Sequence, residues 1–259
     1  MAVVNIQEPA QTRAHLNVPA ATPARYRQNF IRQAVCELRF PTLYALEGPK
    51  PPPSFALALR KEYPIQQLME SVNVGMGPLS RANVHSFKSK QQKWTVTLNA
   101  ASLVLETVSY EYFAEFKRRL AVILTAAERV IDSDFFTRVG LRYINTLPYA
   151  KGELHNWVNP ALVGPLSDGV YGDVTEHSGR VLGSTPCGGY MLQHGLVIDG
   201  SGVSPQYSLD FDFSCEDVPF AETLDIVQKL HDQEFSMFQW ALGPAAKTHL
   251  GHSTLQGIS

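Results

Sequence analysis

Two carboxylates stand two residues apart in the run Leu209-Asp210-Phe211-Asp212-Phe213. A strand through this run puts both on one face and the apolar side chains on the other. Such a pair could hold a divalent cation or divide acid and base work. With Arg142 it would suit a metal-dependent phosphohydrolase acting on nucleotides or polyphosphate. The strict alternation favours a simpler reading, a strand with its polar face in water. Arg138 and Arg142 flank Gly140 on one face of a second strand, where the glycine leaves room for a phosphate or carboxylate. Arginines so placed more commonly pair with acids across the sheet, such as Glu106. The expectation is that both point to one side and that at least one contacts a carboxylate. Lys88, Lys90 and Lys93, next to Gln91 and Gln92, fall at a hairpin tip where they could touch a phosphate backbone. In a slightly acidic protein a solvated tip is favoured.

The remaining motifs of catalysis are missing. No glycine group, Gly188-Gly189 included, has the spacing of a phosphate-cradling loop, and there is no Gly-x-Ser-x-Gly elbow. Cys36, Cys187 and Cys215 are an odd, widely spaced set without CxxC or Cys/His ligand spacing. They argue against a disulfide framework and a zinc site, and for a reducing cytoplasm. Cys36 or Cys187 with a distant histidine is a weak nucleophile hypothesis. No catalytic residue, metal or cofactor is expected on these grounds.

One histidine stands out by position. Phe220, Leu224, Val227, His231, Phe235, Phe238 and Leu242 recur at three and four residues, which places His231 on the apolar stripe of a helix. Its ring should be buried and neutral, with its N–H donated to a backbone carbonyl or a carboxylate. No second histidine or cysteine lies a turn away to make a metal site.

The elements that must carry these residues read as a mixed α+β chain of antiparallel strands and two long amphipathic helices. Residues 1–28, with Pro9, Pro19 and Pro23, form a partly ordered N-terminal arm. A first strand covers 34–40 and closes at Pro41. Pro49 to Pro53 make a polyproline-like surface connection. Strands run from Arg81 to Val108, with Trp94, Val96 and Leu98 on one face, Thr95, Thr97 and Asn99 on the other, and a turn at Asn99 to Ser102. A helix over 110–131 follows, then a strand over 136–145. A loop over 148–170 separates the halves, about 29–147 and 171–250, of a single domain spanning 29–250. The second half has strands near 189–198 and 206–214 and a helix over 219–242, with Asp217 as N-cap and Pro219 in its first turn. Strands leading into one long helix, twice, suggest an internal pseudo-duplication. Residues 251–259 form a tail.

The chain has 259 residues, 44% hydrophobic and 18% charged, an ordinary globular balance with ample core. A formal net charge of −2 does not favour a nucleic-acid partner, and the expected partner is another protein. No apolar run approaches the roughly 20 residues a bilayer span needs, and the first thirty residues lack a signal-type apolar core, so no membrane association is expected.

Several stretches carry a likeness: Glu37 and Phe40, Tyr63-Pro64, Trp94-x-Val96-x-Leu98, Tyr110 with Phe116, Gly140-Leu141-Arg142-Tyr143-Ile144-Asn145, and Leu230-His231 with Phe235. On these the chain resembles a sporadically distributed family of uncharacterised, conserved hypothetical prokaryotic proteins. The likeness spans about residues 30–245, and the Gly-Leu-Arg-Tyr-Ile-Asn run is its most specific part. It implies an accessory protein near mobile-element or defence loci, with a binding or regulatory role, and transfers no catalytic residue. The Glu37-x-Arg39 strand also bears a faint similarity to triphosphate hydrolases that work inside a β tunnel, although their alternating acids are incomplete here.

Overall fold

A computed structural model describes residues 15–73, 80–148, 153–167, 170–172, 174–198 and 205–251. Its frame is a nine-stranded sheet in which every neighbouring pair is antiparallel. In chain order the strands are β1 (Ile31–Arg39), β2 (Ile65–Asn73), β3 (Ser80–Lys88), β4 (Trp94–Leu98), β5 (Ser102–Thr107), β6 (Phe135–Pro148), β7 (Ser178–Thr185), β8 (Gly188–Ile198) and β9 (Pro205–Pro219). Across the sheet they lie in the order β2-β3-β4-β5-β1-β6-β9-β8-β7. Each half therefore begins with a central strand, β1 or β6, and ends with a meander whose last strand, β5 or β9, returns to pair with it. The two first strands pair with each other, from Ile31 opposite Asn145 to Arg39 opposite Arg138. Local hairpins build each meander, and this one non-local pairing makes the sheet continuous.

Period-2 alternation gives the sheet two unlike faces. Ala34, Cys36 and Leu38 of β1, Val139, Leu141, Tyr143 and Leu147 of β6, and Tyr207, Leu209, Phe211 and Phe213 of β9 are all buried. They meet a layer of helices. After β5 comes α2 (Phe113–Ile131), which buries Phe116, Leu120, Ile123, Leu124, Ala127 and Ile131, one side of a 3.6-residue helix. It ends where Asp132 turns left-handed at φ 46° and donates its N–H to the Glu128 carbonyl, a conformation that aspartate tolerates better than most residues. After β9 comes α5 (Thr223–Ala241), packed against β6 and β9.

Shorter helices complete the layer: α1 (Pro53–Leu59), α3 (Leu154–Trp157), α4 (Pro160–Ser167) and α6 (Pro244–Leu250). Several of these revise the sequence reading. Pro53 is the first residue of α1, where its missing N–H costs nothing, rather than the end of a polyproline run. The 148–170 stretch contains α3 and α4, anchored by a bridge between Val158 and Leu242, instead of being only a loop. Asp217 is not the N-cap of the second long helix. It sits within β9 at φ 51°, and a 3-10 turn (Phe220–Glu222) separates it from α5. Residues 1–14 and 252–259, the first half of the expected arm and all but the first residue of the expected tail, lie outside the described residues.

The cysteines also differ from expectation. Cys187 and Cys215 form a disulfide, with Cα atoms 4.9 Å apart, and Cys36 alone is free and buried. The pairing of β8 with β9 sets Gly188 opposite Cys215, which brings the preceding Cys187 within reach. A side chain at Gly188 would run into the Ser214 carbonyl oxygen, so the close approach requires glycine. A separation of 28 residues with no local spacing signal hid this pair in the sequence. With two of three thiols bonded, cysteine usage no longer argues for a reducing compartment. Among the described residues, no helix is long and apolar enough to cross a membrane.

Candidate functional site

The open face of the sheet carries the charged residues singled out by sequence. Arg138 and Arg142 both project there from β6, as do Glu37 from β1 and Asp210 and Asp212 from β9. Arg138 donates to Glu37 at 3.0 Å and to Asp212 at 2.7 Å. Arg142 grips Asp210 with two bonds, Nε at 2.8 Å and Nη2 at 2.6 Å, the bidentate geometry a guanidinium makes best. The partners are thus Glu37, Asp210 and Asp212, not Glu106. The space over Gly140 is filled by the guanidinium of Arg138 itself, which lies where a Cβ would stand. Both aspartates are already engaged by arginines, and among the described residues no cluster of three metal-ligating side chains exists. Lys88 and Lys90 lie at the end of β3 and in the turn to β4, where Gln92 adopts φ 55°, and β3 is the fourth strand away from β6. Nothing brings them together with Arg138 and Arg142.

A different group of polar side chains collects on the covered face, where β6 and α5 meet. Tyr143 and Asn145 come from the helix side of β6, Tyr110 from the segment entering α2, and His231 and Glu234 from consecutive turns of α5. The Tyr143 hydroxyl and His231 Nδ1 share a hydrogen bond of 3.1 Å, and Tyr110 hydrogen-bonds to Tyr143. The imidazole lies flat on the ring of Phe113, with centroids 3.8 Å apart and planes 2° from parallel. Burial lowers the His231 pKa to about 4, so the ring is neutral at pH 7. Its partner is a phenol rather than the expected backbone carbonyl or carboxylate. Desolvation likewise pushes the phenols of Tyr110 and Tyr143 upward.

Glu234 is the most unusual member. It is 1% exposed, and one of its carboxyl oxygens, Oε1, accepts the Phe213 N–H at 3.2 Å. The other, Oε2, is buried without a hydrogen-bond partner among the described residues. Burial first, and then the negative charges of Asp212 and Asp210, raise its pKa well above the usual carboxylate range, against the opposing Phe213 bond. A buried carboxyl with an orphaned oxygen is costly, and natural proteins keep few of them.

These side chains line a cavity of about 350 Å³ between β6, β9, α2 and α5. Its remaining wall is supplied by Pro23 to Tyr26 and Gln28 of the N-terminal arm, by Asn29 to Ile31 at the start of β1, and by aromatic rings, among them Tyr112, Phe211 and Phe238. The described part of the arm, from residue 15 on, is tied down at several points. Leu16 donates its N–H to the Ser184 carbonyl, Ala21 to Ser236 Oγ, and Arg27 and Gln28 to carbonyls at the end of α6. Tyr26 stacks on Phe235 at 6.1 Å. The cavity has the size and mostly apolar lining of a small-molecule site, with a few convergent polar groups.

Sequence reasoning singled out His231 as a buried polar residue with a packing role, and did not single out Glu234, Tyr110 or Tyr143 as site residues. A signal for Glu234 was present: Val227, Leu230, Glu234, Met237 and Ala241 are spaced three, four, three and four, so the glutamate interrupts an apolar stripe. No known family model and no curated protein matches the chain.

Proposed function

We propose that this protein is a non-enzymatic binding or regulatory protein whose ligand occupies the cavity beneath the N-terminal arm. The observation that carries the reading is Glu234, a residue of the wall of an aromatic cavity that carries a buried carboxyl with one oxygen unpartnered among the described residues. A protein keeps such a group when something else completes its hydrogen bonding. The accessory role implied by the family resemblance fits a binding module, and so does an open face whose charges neutralise one another. The matching order of strands, short helices, meander and 19-residue helix in each half supports descent of the two halves from one duplicated unit.

The competing reading is a metal-dependent phosphohydrolase built on Asp210, Asp212 and Arg142. Its acids would have to leave their arginines before they could hold a cation. A fragment screen followed by NMR tests the binding reading: shifts should concentrate on Phe113, His231 and Phe235, and Phe238→Trp, which adds bulk to the cavity wall, should weaken binding at least tenfold. Manganese- or magnesium-dependent turnover of nucleotides or polyphosphate that Asp212→Ala abolishes would refute it in favour of the enzyme.

A further inference from the structure

We infer that residues 23–28 form a strap that gates this cavity, with the contact between Arg25 and Tyr112 as its latch. This rests on the binding reading above and concerns how a ligand enters. The lining residues divide by exposure. Those from β6, β9 and α5 are buried or half-buried. The exposed ones are Pro23, Ala24, Arg25 and Gln28 of the arm, with Asn29 at its base, and Glu111 and Ala114 at the entry to α2. The outer boundary of the cavity is therefore the seam between the arm and the start of α2.

The walls are held unequally. Those made by β6, β9 and α5 belong to the sheet ladder and the core cluster, and moving them would break both. The arm is held by separate contacts. At its base Asn29 donates from Nδ2 to the Tyr110 carbonyl at 3.0 Å and accepts the Ile31 N–H at 3.1 Å. Upstream, the Ala21 N–H reaches Ser236 Oγ at 3.1 Å. Between these anchors Pro23 has no N–H to give. Arg27 and Gln28 donate to the Gly251 and Leu250 carbonyls at 3.4 and 3.3 Å, beyond the usual range for such bonds. Tyr26 is held by α5, stacked on Phe235 and hydrogen-bonded to Gln239.

Arg25 crosses the seam itself, its guanidinium 4.6 Å over the ring of Tyr112. Both residues line the cavity, one from each side of the boundary. A cation–π contact at an exposed site is weak, so this latch yields before any wall built from the sheet or the long helices. The strap lies closed before a ligand enters and again after it. A contact made equally in both states cannot change their relative populations. It acts on the passage between them, slowing entry and exit by the same factor and leaving affinity unchanged.

Stopped-flow fluorescence with N-phenyl-1-naphthylamine, a neutral aromatic probe whose emission rises in apolar surroundings, tests this. Arg25→Ala and Tyr112→Leu should each speed association and dissociation by about two- to fivefold, the weight of one exposed cation–π contact, with Kd unchanged. The double variant should be no faster than either single one, because the two residues act through one contact. In a chain carrying both Arg25→Cys and Tyr112→Cys, a bis-maleimide bridge should slow both rates by roughly tenfold or more. The bridge is confined to the added thiols, because Cys36 is buried and Cys187 and Cys215 are bonded to each other. Rates that neither the variants nor the bridge alter would overturn the gate while leaving the cavity reading intact. So would an affinity loss carried by dissociation alone, which would make Arg25 a ligand contact. Absence of binding by this probe and by every fragment of the screen would overturn both.

Discussion

His231 and Glu234 sit three residues apart on one helix and titrate against each other. The histidine is held near a pKa of about 4, below its usual value of about 6.5. The unfolded chain therefore takes up its proton first as pH falls, and the stability that neutral His231 contributes, complete above pH 6.5, is lost between there and pH 4. A shift of this size corresponds to about 3 kcal/mol. Glu234 has the opposite sign. Its folded pKa is raised, so its protonated form contributes fully below the ordinary carboxylate range, and that contribution is lost as pH rises through the folded pKa. In the shared acid-to-neutral window the two slopes oppose, and the intact protein should show a shallow dependence. Denaturant titrations from pH 4 to 8 should separate them. Glu234→Gln should leave stability rising with pH from about 4 to 6.5, and His231→Phe should leave it falling. If both variants keep the slope of the parent, these residues are not the titrating pair. His231 itself was legible because it falls on a visible apolar stripe. Glu234 was hidden because a glutamate is ordinarily assigned to the wet side of a helix.

At the scale of elements, alternation and the 3.6-residue period predicted what they could. The buried face of β4, with Trp94, Val96 and Leu98, follows directly from its sequence. The α5 stripe was displaced by about one residue: Phe235 and Phe238 lie at its edge, while Leu230, Glu234 and Met237 form its centre. The large rings drew the reading toward themselves, yet large rings reach the core from the flank of a helix. β7 was missed because an edge strand with Gly179 and Gly183 and with exposed Val181 and Leu182 has no alternation to read. α4 was missed because Pro165 lies within it, and α6 because it is only seven residues long. On β6, the space over Gly140, read from the sequence as room for a phosphate or carboxylate, is occupied by Arg138. Adding a Cβ there must displace the guanidinium and loosen its bonds to Glu37 and Asp212. Alanine is otherwise the better strand residue, so a double-mutant cycle is the proper measure. Gly140→Ala should cost stability in the parent and be neutral or stabilising when Arg138 is already alanine, a coupling of about 1 kcal/mol for a partly exposed ion pair. Independent effects of the two substitutions would show that the guanidinium does not depend on the glycine.

For the whole molecule, the question is whether a chain with two similarly ordered halves behaves as two units or one. The sequence marked a seam at 148–170 and could not show how the halves meet, because a pairing between β1 and β6 depends on residues about a hundred positions apart, such as Val35 and Arg142. That pairing lies at the centre of the sheet. The disulfide closes only within the second half, so it does not hold the halves together. The buried core does: one contiguous cluster runs from Phe30 to Leu250 and takes in residues of β1, α2, β6, β9 and α5. The arm adds ties from Leu16 to β7 and from Arg27 to the end of α6. Separating the halves would expose the edges of β1 and β6 and break the contact between α2 and α5, losses set against the small net stability of an ordinary domain. Calorimetric unfolding should therefore be a single transition with equal calorimetric and van't Hoff enthalpies. Weakening the seam with Val35→Pro, which removes a backbone donor from a central strand, should lower that one transition as a whole. Two resolved transitions in the parent protein, or a half that stays folded in the variant, would show that the halves are independent domains sharing an edge.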